Sequence, residues 1–196
     1  MIMKSSPEQP LRGIRSYVLR TGRITESQKR AFDRHWHQFG LTVADGLIDQ
    51  EKTFGRIAPL VVEVGFGMGE SLLSMAQQAD DTDFLGIEVH TPGVGRLMNN
   101  LAAKEINNVR LYREDALLVL EHCLADNCVD RLQLYFPDPW PKKKHHKRRI
   151  VQSEFTRLVW RKLKAGAVFH LATDWRPYAD YLLRKQFGGH EVKYKE

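Results

Sequence analysis

The chain has 196 residues, 42% of them hydrophobic, which is enough length and apolar content for one well-cored domain. No apolar run reaches bilayer-spanning length, the opening residues lack the apolar core of a secretion signal, and Cys123 and Cys128 match no zinc or redox spacing, so no spanning helix is expected, the two cysteines read as core or surface thiols, and a cytoplasmic location is expected. The net charge of +6 divides into +5 over residues 1–34, −9 over 35–141, +6 over 142–149 and +4 over 150–196, a partition that suggests a cationic ligand in the acidic middle and a polyanion on the basic flanks.

Residues 1–34 read as a basic N-terminal arm running into the first helix, and 35–196 as a single domain. In the arm Arg12, Arg15, Arg20 and Arg23 have no acid among them. Thr25-Glu26-Ser27-Gln28 is a capping-box pattern that predicts a helix through Phe39. His35 and His37 flank Trp36 without further ligands and carry no chemistry.

Leu60–Val64 is an apolar, β-branched run, followed by Gly65-Phe66-Gly67-Met68-Gly69 and a helical pattern from Glu70, so a strand, a glycine turn and a helix are predicted. Relative to a dinucleotide fingerprint the third glycine comes one residue early, and Glu70 would stand where a phosphate binds. A nicotinamide dehydrogenase is therefore disfavoured. A second strand over 84–88 ends in Glu88, nineteen residues after Gly69, where an acid can take ribose hydroxyls. A third, Val109–Tyr112, precedes Asp115 and a predicted helix over 116–123. Alone, each acid has an ordinary structural reading, Glu63 as a surface cap and Asp115 as a helix N-cap. Together with the glycines at successive strand ends they suit a sulfonium carrying an amino-acid tail and a ribose but no phosphate: S-adenosylmethionine.

Residues 129–136 read as a buried strand leading into Pro137-Asp138-Pro139. Proline fixes its own φ and restricts the residue before it, so Asp138 is constrained from both sides. Trp140 is available to stack on a base or to brace the loop. The run that follows, Lys142, Lys143, Lys144, His145, His146, Lys147, Arg148 and Arg149, suits a polyanion or, more plainly, a solvated face. A helix is predicted over 151–163, a strand over 167–173 ending in Asp174-Trp175, and another helix from Tyr178. The alternation from 60 to 183 implies an α/β fold with a mainly parallel, doubly wound sheet and helices on both faces.

With these residues assembled, the chain from about Arg12 to Leu183 resembles the tRNA (guanine-N7)-methyltransferases of the bacterial single-chain type. The resemblance rests on Glu63-Val64-Gly65-Phe66-Gly67-Met68-Gly69, Gly86-Ile87-Glu88-Val89-His90, Phe136-Pro137-Asp138-Pro139-Trp140, Lys147-Arg148-Arg149-Ile150 and Ala172-Thr173-Asp174-Trp175. It implies a Rossmann-like class I methyltransferase that uses S-adenosylmethionine, releases S-adenosylhomocysteine and modifies a guanosine in the tRNA variable loop. By the same resemblance Glu63, Gly65, Phe66, Gly67, Gly69, Glu88, Val89, Asp115 and Ala116 hold the cofactor, Asp138 is the active-site acid, and Lys142 and Asp174 contact substrate. Lys143, Lys144, His145, His146, Lys147, Arg148 and Arg149, with Arg12 and Arg15 of the arm, are expected on the RNA. The resemblance implies no metal and no obligatory protein partner, and leaves monomer and homodimer open. The family continues into a final strand pair with a T-x-F/Y-E stretch that residues 184–196 cannot supply, so the C-terminal strands are expected to be incomplete. Two other readings are an RNA-binding module with a vestigial methyltransferase fold and a methyltransferase acting on something other than tRNA.

Overall fold

The computed structural model describes residues 25–186. Apolar strand runs alternate with amphipathic helices, and burying both faces of the strands at once requires a helical layer on each side. The elements are α1 (Glu26–Phe39), β1 (Gly40–Leu41), α2 (Gln50–Phe54), β2 (Leu60–Val64), α3 (Glu70–Gln78), β3 (Asp83–Ile87), α4 (Thr91–Ala103), β4 (Val109–Tyr112), α5 (Ala116–His122), β5 (Val129–Tyr135), α6 (Ser153–Lys162), β6 (Leu163–Ala172) and α7 (Arg176–Tyr181). The strands form one six-stranded sheet in the order β1-β4-β3-β2-β5-β6, with every neighbouring pair parallel.

Every residue of β2 and β3 is buried. On one face Val61, Phe84 and Leu111 pack against Phe39, Leu72, Leu97 and Leu101 from α1, α3 and α4. On the other, Val62, Leu85 and Leu132 meet Val119, Leu120, Phe155, Leu158 and Tyr178 from α5, α6 and α7. The predicted capping box of α1 is present: the Thr25 hydroxyl accepts from the Gln28 N–H at 3.2 Å, and the Thr25 N–H donates to Gln28 Oε1 at 3.0 Å.

The chain winds outward from β2 through β3 to β4, then returns to place β5 on the other side of β2. That reversal leaves a crevice at the carboxyl ends of β2 and β5, the place where open parallel sheets take their ligands. The turn after β2 and the Pro137-Asp138-Pro139 segment after β5 both open onto it.

Several boundaries differ from the sequence expectation. Strand β6 begins at Leu163 rather than Ala167, because Leu163 pairs with Val129 before a bulge shifts the register to Arg131 with Val168. Helix α6 starts at Ser153, with Val151 already buried ahead of it. Helix α7 starts at Arg176 and passes into a π-helical turn over Leu182–Gln186. Arg12, Arg15, Arg20 and Arg23, and the stretch 187–194, lie outside the described residues. Among the described residues no helix is long and apolar enough to cross a membrane.

Candidate functional site

The turn after β2 is built from glycines at positive φ: 72° at Gly65, 58° at Gly67 and 80° at Gly69. A Cβ at Gly69 would stand 2.9 Å from Leu97, whereas one at Gly65 or Gly67 would meet nothing within 4 Å. The first two therefore present bare backbone to open space, a surface that a ligand can approach closely. The Glu88 carboxylate holds the turn in place. Its Oε2 accepts from the Gly67 N–H at 2.8 Å, and its Oε1 accepts from the N–H groups of Val89 at 2.7 Å and His90 at 2.9 Å. One acid thus ties the end of β3 to the glycine turn and still has lone pairs to offer a ribose. Glu70, the first residue of α3, is paired with Arg96 at 2.8 Å.

Gly93, in the first turn of α4, supports the same turn from behind, because a Cβ there would collide with the Gly67 carbonyl oxygen. Gly93→Ala is expected to displace the turn and cost about 1–3 kcal/mol, as overpacking commonly does. The check is a drop in chemical-denaturation stability.

The three acids differ in state. Glu63 is 2% exposed and its Oε2 has no hydrogen-bond partner among the described residues. Burial pushes its carboxyl up to about 7 from the usual 4.5. Paired across from it on β5 is Gln133, whose Oε1 is also buried and unmatched. Two neighbouring buried acceptors lacking donors suit a cationic or donor-bearing ligand. Without one, neutral Glu63 leaves stability intact below about pH 4.5. As pH rises toward 7 the unfolded chain ionises while the folded carboxyl does not, so stability falls by on the order of 3 kcal/mol and then levels off. Glu63→Gln is expected to abolish that slope in thermal melts of the ligand-free chain taken between pH 4.5 and 8.

Asp115 is the N-cap of α5 and accepts from the Leu117 N–H at 2.8 Å. Ala116 opens that helix, and Phe66 is buried under the turn. The structural reading of Asp115 thus holds beside any ligand role.

Across the crevice, the Phe136 N–H donates to the Ala172 carbonyl at 2.8 Å, which locks the ends of β5 and β6 together and sets Asp138 and Asp174 on adjacent strand ends. Both acids are exposed. Phe136 and Trp140, on either side of the Pro-Asp-Pro segment, have φ of +48° and +41°, a conformation costly for non-glycine residues. After this loop Lys143–Arg148 coils into a 3₁₀ segment. Lys142, Lys143, Lys144 and Lys147 are exposed, while His145, His146 and Arg148 are half-buried. His145 is held below the usual histidine value by desolvation and by the surrounding cations, Arg148 foremost.

Several members of this basic run do something other than face solvent. Arg148 lies over the Trp140 ring at 5.2 Å, and the His145 ring is 5.8 Å from it, so Trp140 braces the loop. Arg149, expected among the RNA contacts, is 3% exposed. Its guanidinium points inward, donating from Nε to the Pro139 carbonyl at 2.8 Å, and so is not presented to a phosphate.

Comparison with known proteins identifies the family. Residues 57–192 match the model of the family described as "Putative methyltransferase". A Pseudomonas paraeruginosa protein named tRNA (guanine-N(7)-)-methyltransferase is 57% identical over 175 residues, covering 89% of this chain and 72% of its own. The chain belongs to the tRNA (guanine-N(7)-)-methyltransferase family. A family member of the same name from Pseudomonas savastanoi pv. phaseolicola is 54% identical over 181 residues, covering 92% of this chain and 74% of its own. Among solved structures, an antibiotic-related methyltransferase superposes with a TM-score of 0.53 at 17% identity, covering 72% of this chain and 69% of that one. That likeness shows the Rossmann-like methyltransferase fold. Around the crevice, Gly93 and Gln133 had no place in the sequence reading. Gly93 follows Pro92, a pair that hides the helix, and Gln133 lies between the buried Leu132 and Leu134 of β5, a placement that could have flagged it.

Proposed function

We propose that the chain transfers a methyl group from S-adenosylmethionine to N7 of a variable-loop guanosine in tRNA. The observation that carries this reading is the joining of Asp138 and Asp174 at adjacent strand ends, directly followed by an exposed lysine-rich segment. Residues of the glycine turn, with Glu63, Glu88, Val89, Asp115 and Ala116, would hold the cofactor. The open backbone at Gly65 and Gly67 and the unmatched Glu63 oxygen fit a cationic ligand that brings its own donors and has no phosphate.

When bound, S-adenosylmethionine supplies an electrophilic methyl group on a positively charged sulfur. Guanine N7 carries an in-plane lone pair, so the chain need not supply a general base. The purine gains positive charge as N7 is alkylated, and a carboxylate fixed beside it favours that state over bound substrate. Asp138 fills this role and accepts from the guanine N1–H and N2–H, a donor pair that adenine lacks, with Asp174 sharing the contact. Lys142, Lys143, Lys144, Lys147 and Arg148 hold phosphates, with Arg12 and Arg15 adding to them from the arm. On this reading the enzyme is cytoplasmic, needs no obligatory protein partner, and works as a monomer or homodimer.

The deciding experiment incubates the chain with labelled S-adenosylmethionine and unmodified bulk tRNA, then identifies the modified nucleoside by mass. N7-methylguanosine is the expected product. Tight tRNA binding without transfer would favour a binding module, and transfer to another acceptor that tRNA does not compete for would reject the substrate.

A further inference from the structure

Arg149 is almost fully buried and, among the described residues, no carboxylate pairs with it. A buried cation without a counter-charge must be held by dipoles or π faces. Here the guanidinium carbon lies 4.5 Å from the Tyr181 ring centroid, 4.9 Å from that of Tyr178 and 6.0 Å from that of Trp175. Its Nε donates to the Pro139 carbonyl at 2.8 Å, and its own N–H donates to the His146 carbonyl at 3.1 Å.

These contacts bind together the two turns that carry the acids. Pro139 follows Asp138, Trp175 follows Asp174, and the two tyrosines belong to α7. Between its left-handed ends at Phe136 and Trp140 the Asp138 loop sits in a conformation its residues do not favour, so an outside tether is needed to hold it there. We propose that Arg149 is a positioning residue, a cationic pin that fixes the Asp138 loop against α7 and so sets the distance between Asp138 and Asp174. This rests on the methyltransferase reading of those two acids. A lysine cannot replace it, because the ammonium is compact and lacks the planar fork that stacks on rings while donating sideways.

The test compares wild type with Arg149→Lys, which keeps the charge, and with Tyr181→Leu and Tyr181→Phe, which remove and retain the nearest ring. Single-turnover methyl transfer is read beside tRNA affinity, its salt dependence, and the rate of tryptic cleavage within residues 142–148. Arg149→Lys is expected to slow transfer about 10- to 100-fold, the scale of a small misplacement of a catalytic group, and to speed cleavage, with tRNA affinity within twofold and the salt slope unchanged. Tyr181→Leu should behave likewise and Tyr181→Phe like wild type, which keeps the proposal testable if Arg149→Lys fails to fold. Transfer within threefold of wild type in both Arg149→Lys and Tyr181→Leu overturns it, and so does a loss expressed as weaker binding with a flatter salt slope, which would make Arg149 a phosphate ligand. A wild-type chain that transfers no methyl group refutes the functional reading instead. The cleavage comparison still decides then whether Arg149 holds the loop, equal rates rejecting it.

Discussion

Asp138→Asn is expected to lower the single-turnover rate of methyl transfer by about 10²- to 10³-fold, the usual effect of removing one preorganised charge-stabilising group, while tRNA affinity changes less than twofold. Asparagine matches the size of aspartate, so the flanking prolines and the bond between Phe136 and Ala172 keep the loop in place and the change isolates the charge. It loses in two ways. The amide offers one acceptor oxygen in place of two, so one guanine donor is left unmatched, and its neutral head no longer favours the positive ring. Binding energy on tRNA comes largely from phosphates remote from this carboxylate, which is why affinity should hardly move. A rate within fivefold of wild type would remove Asp138 from the chemistry.

Converting Lys143, Lys144 and Lys147 to glutamine is expected to give the opposite pattern. All three are exposed on the 3₁₀ segment, and each phosphate contact contributes roughly 0.7–0.9 to the slope of log affinity against log salt. The triple variant should therefore flatten that slope by about 2 to 3, and weaken tRNA binding about 10²-fold at ~0.1 M salt. Turnover at saturating tRNA should be retained. Fluorescence titrations at several salt concentrations measure both quantities, and an unchanged slope would mean that these lysines only solvate a surface. Arg149 is left out of the set because its charge is buried.

The strand ends that carry the proposed site were readable in the sequence, but the packing of each side chain was not. Glu63, Gly65, Gly67, Glu88 and Asp138 sit at strand ends, and strand ends are legible from apolar runs that stop abruptly. Helix α4 was illegible because Pro92, Gly93 and Gly95 resemble a break. Their reasons are tertiary: proline is tolerated in a first helical turn, a side chain at Gly93 would strike Gly67, and one at Gly95 would press on Gln28. The two-residue strand β1 exists only because β4 offers an edge to pair with. The burial of Arg149 was hidden for a related reason. A charge count along a basic run cannot tell which member turns inward, and the aromatic rings that receive it come from α7, some thirty residues later.

The two left-handed aromatic residues beside Asp138 matter for anyone wishing to make this protein more heat-resistant. Phe136 is 65% exposed, so replacing it with glycine or asparagine would relieve unfavourable backbone geometry and sacrifice little packing. A screen for higher melting temperature would thus be drawn to this position. It would also select for a looser loop, since a residue at ease in several conformations no longer confines the carboxylate two positions on. Thermostable variants carrying that change should be slower catalysts, and stability and turnover at this position should move in opposite directions.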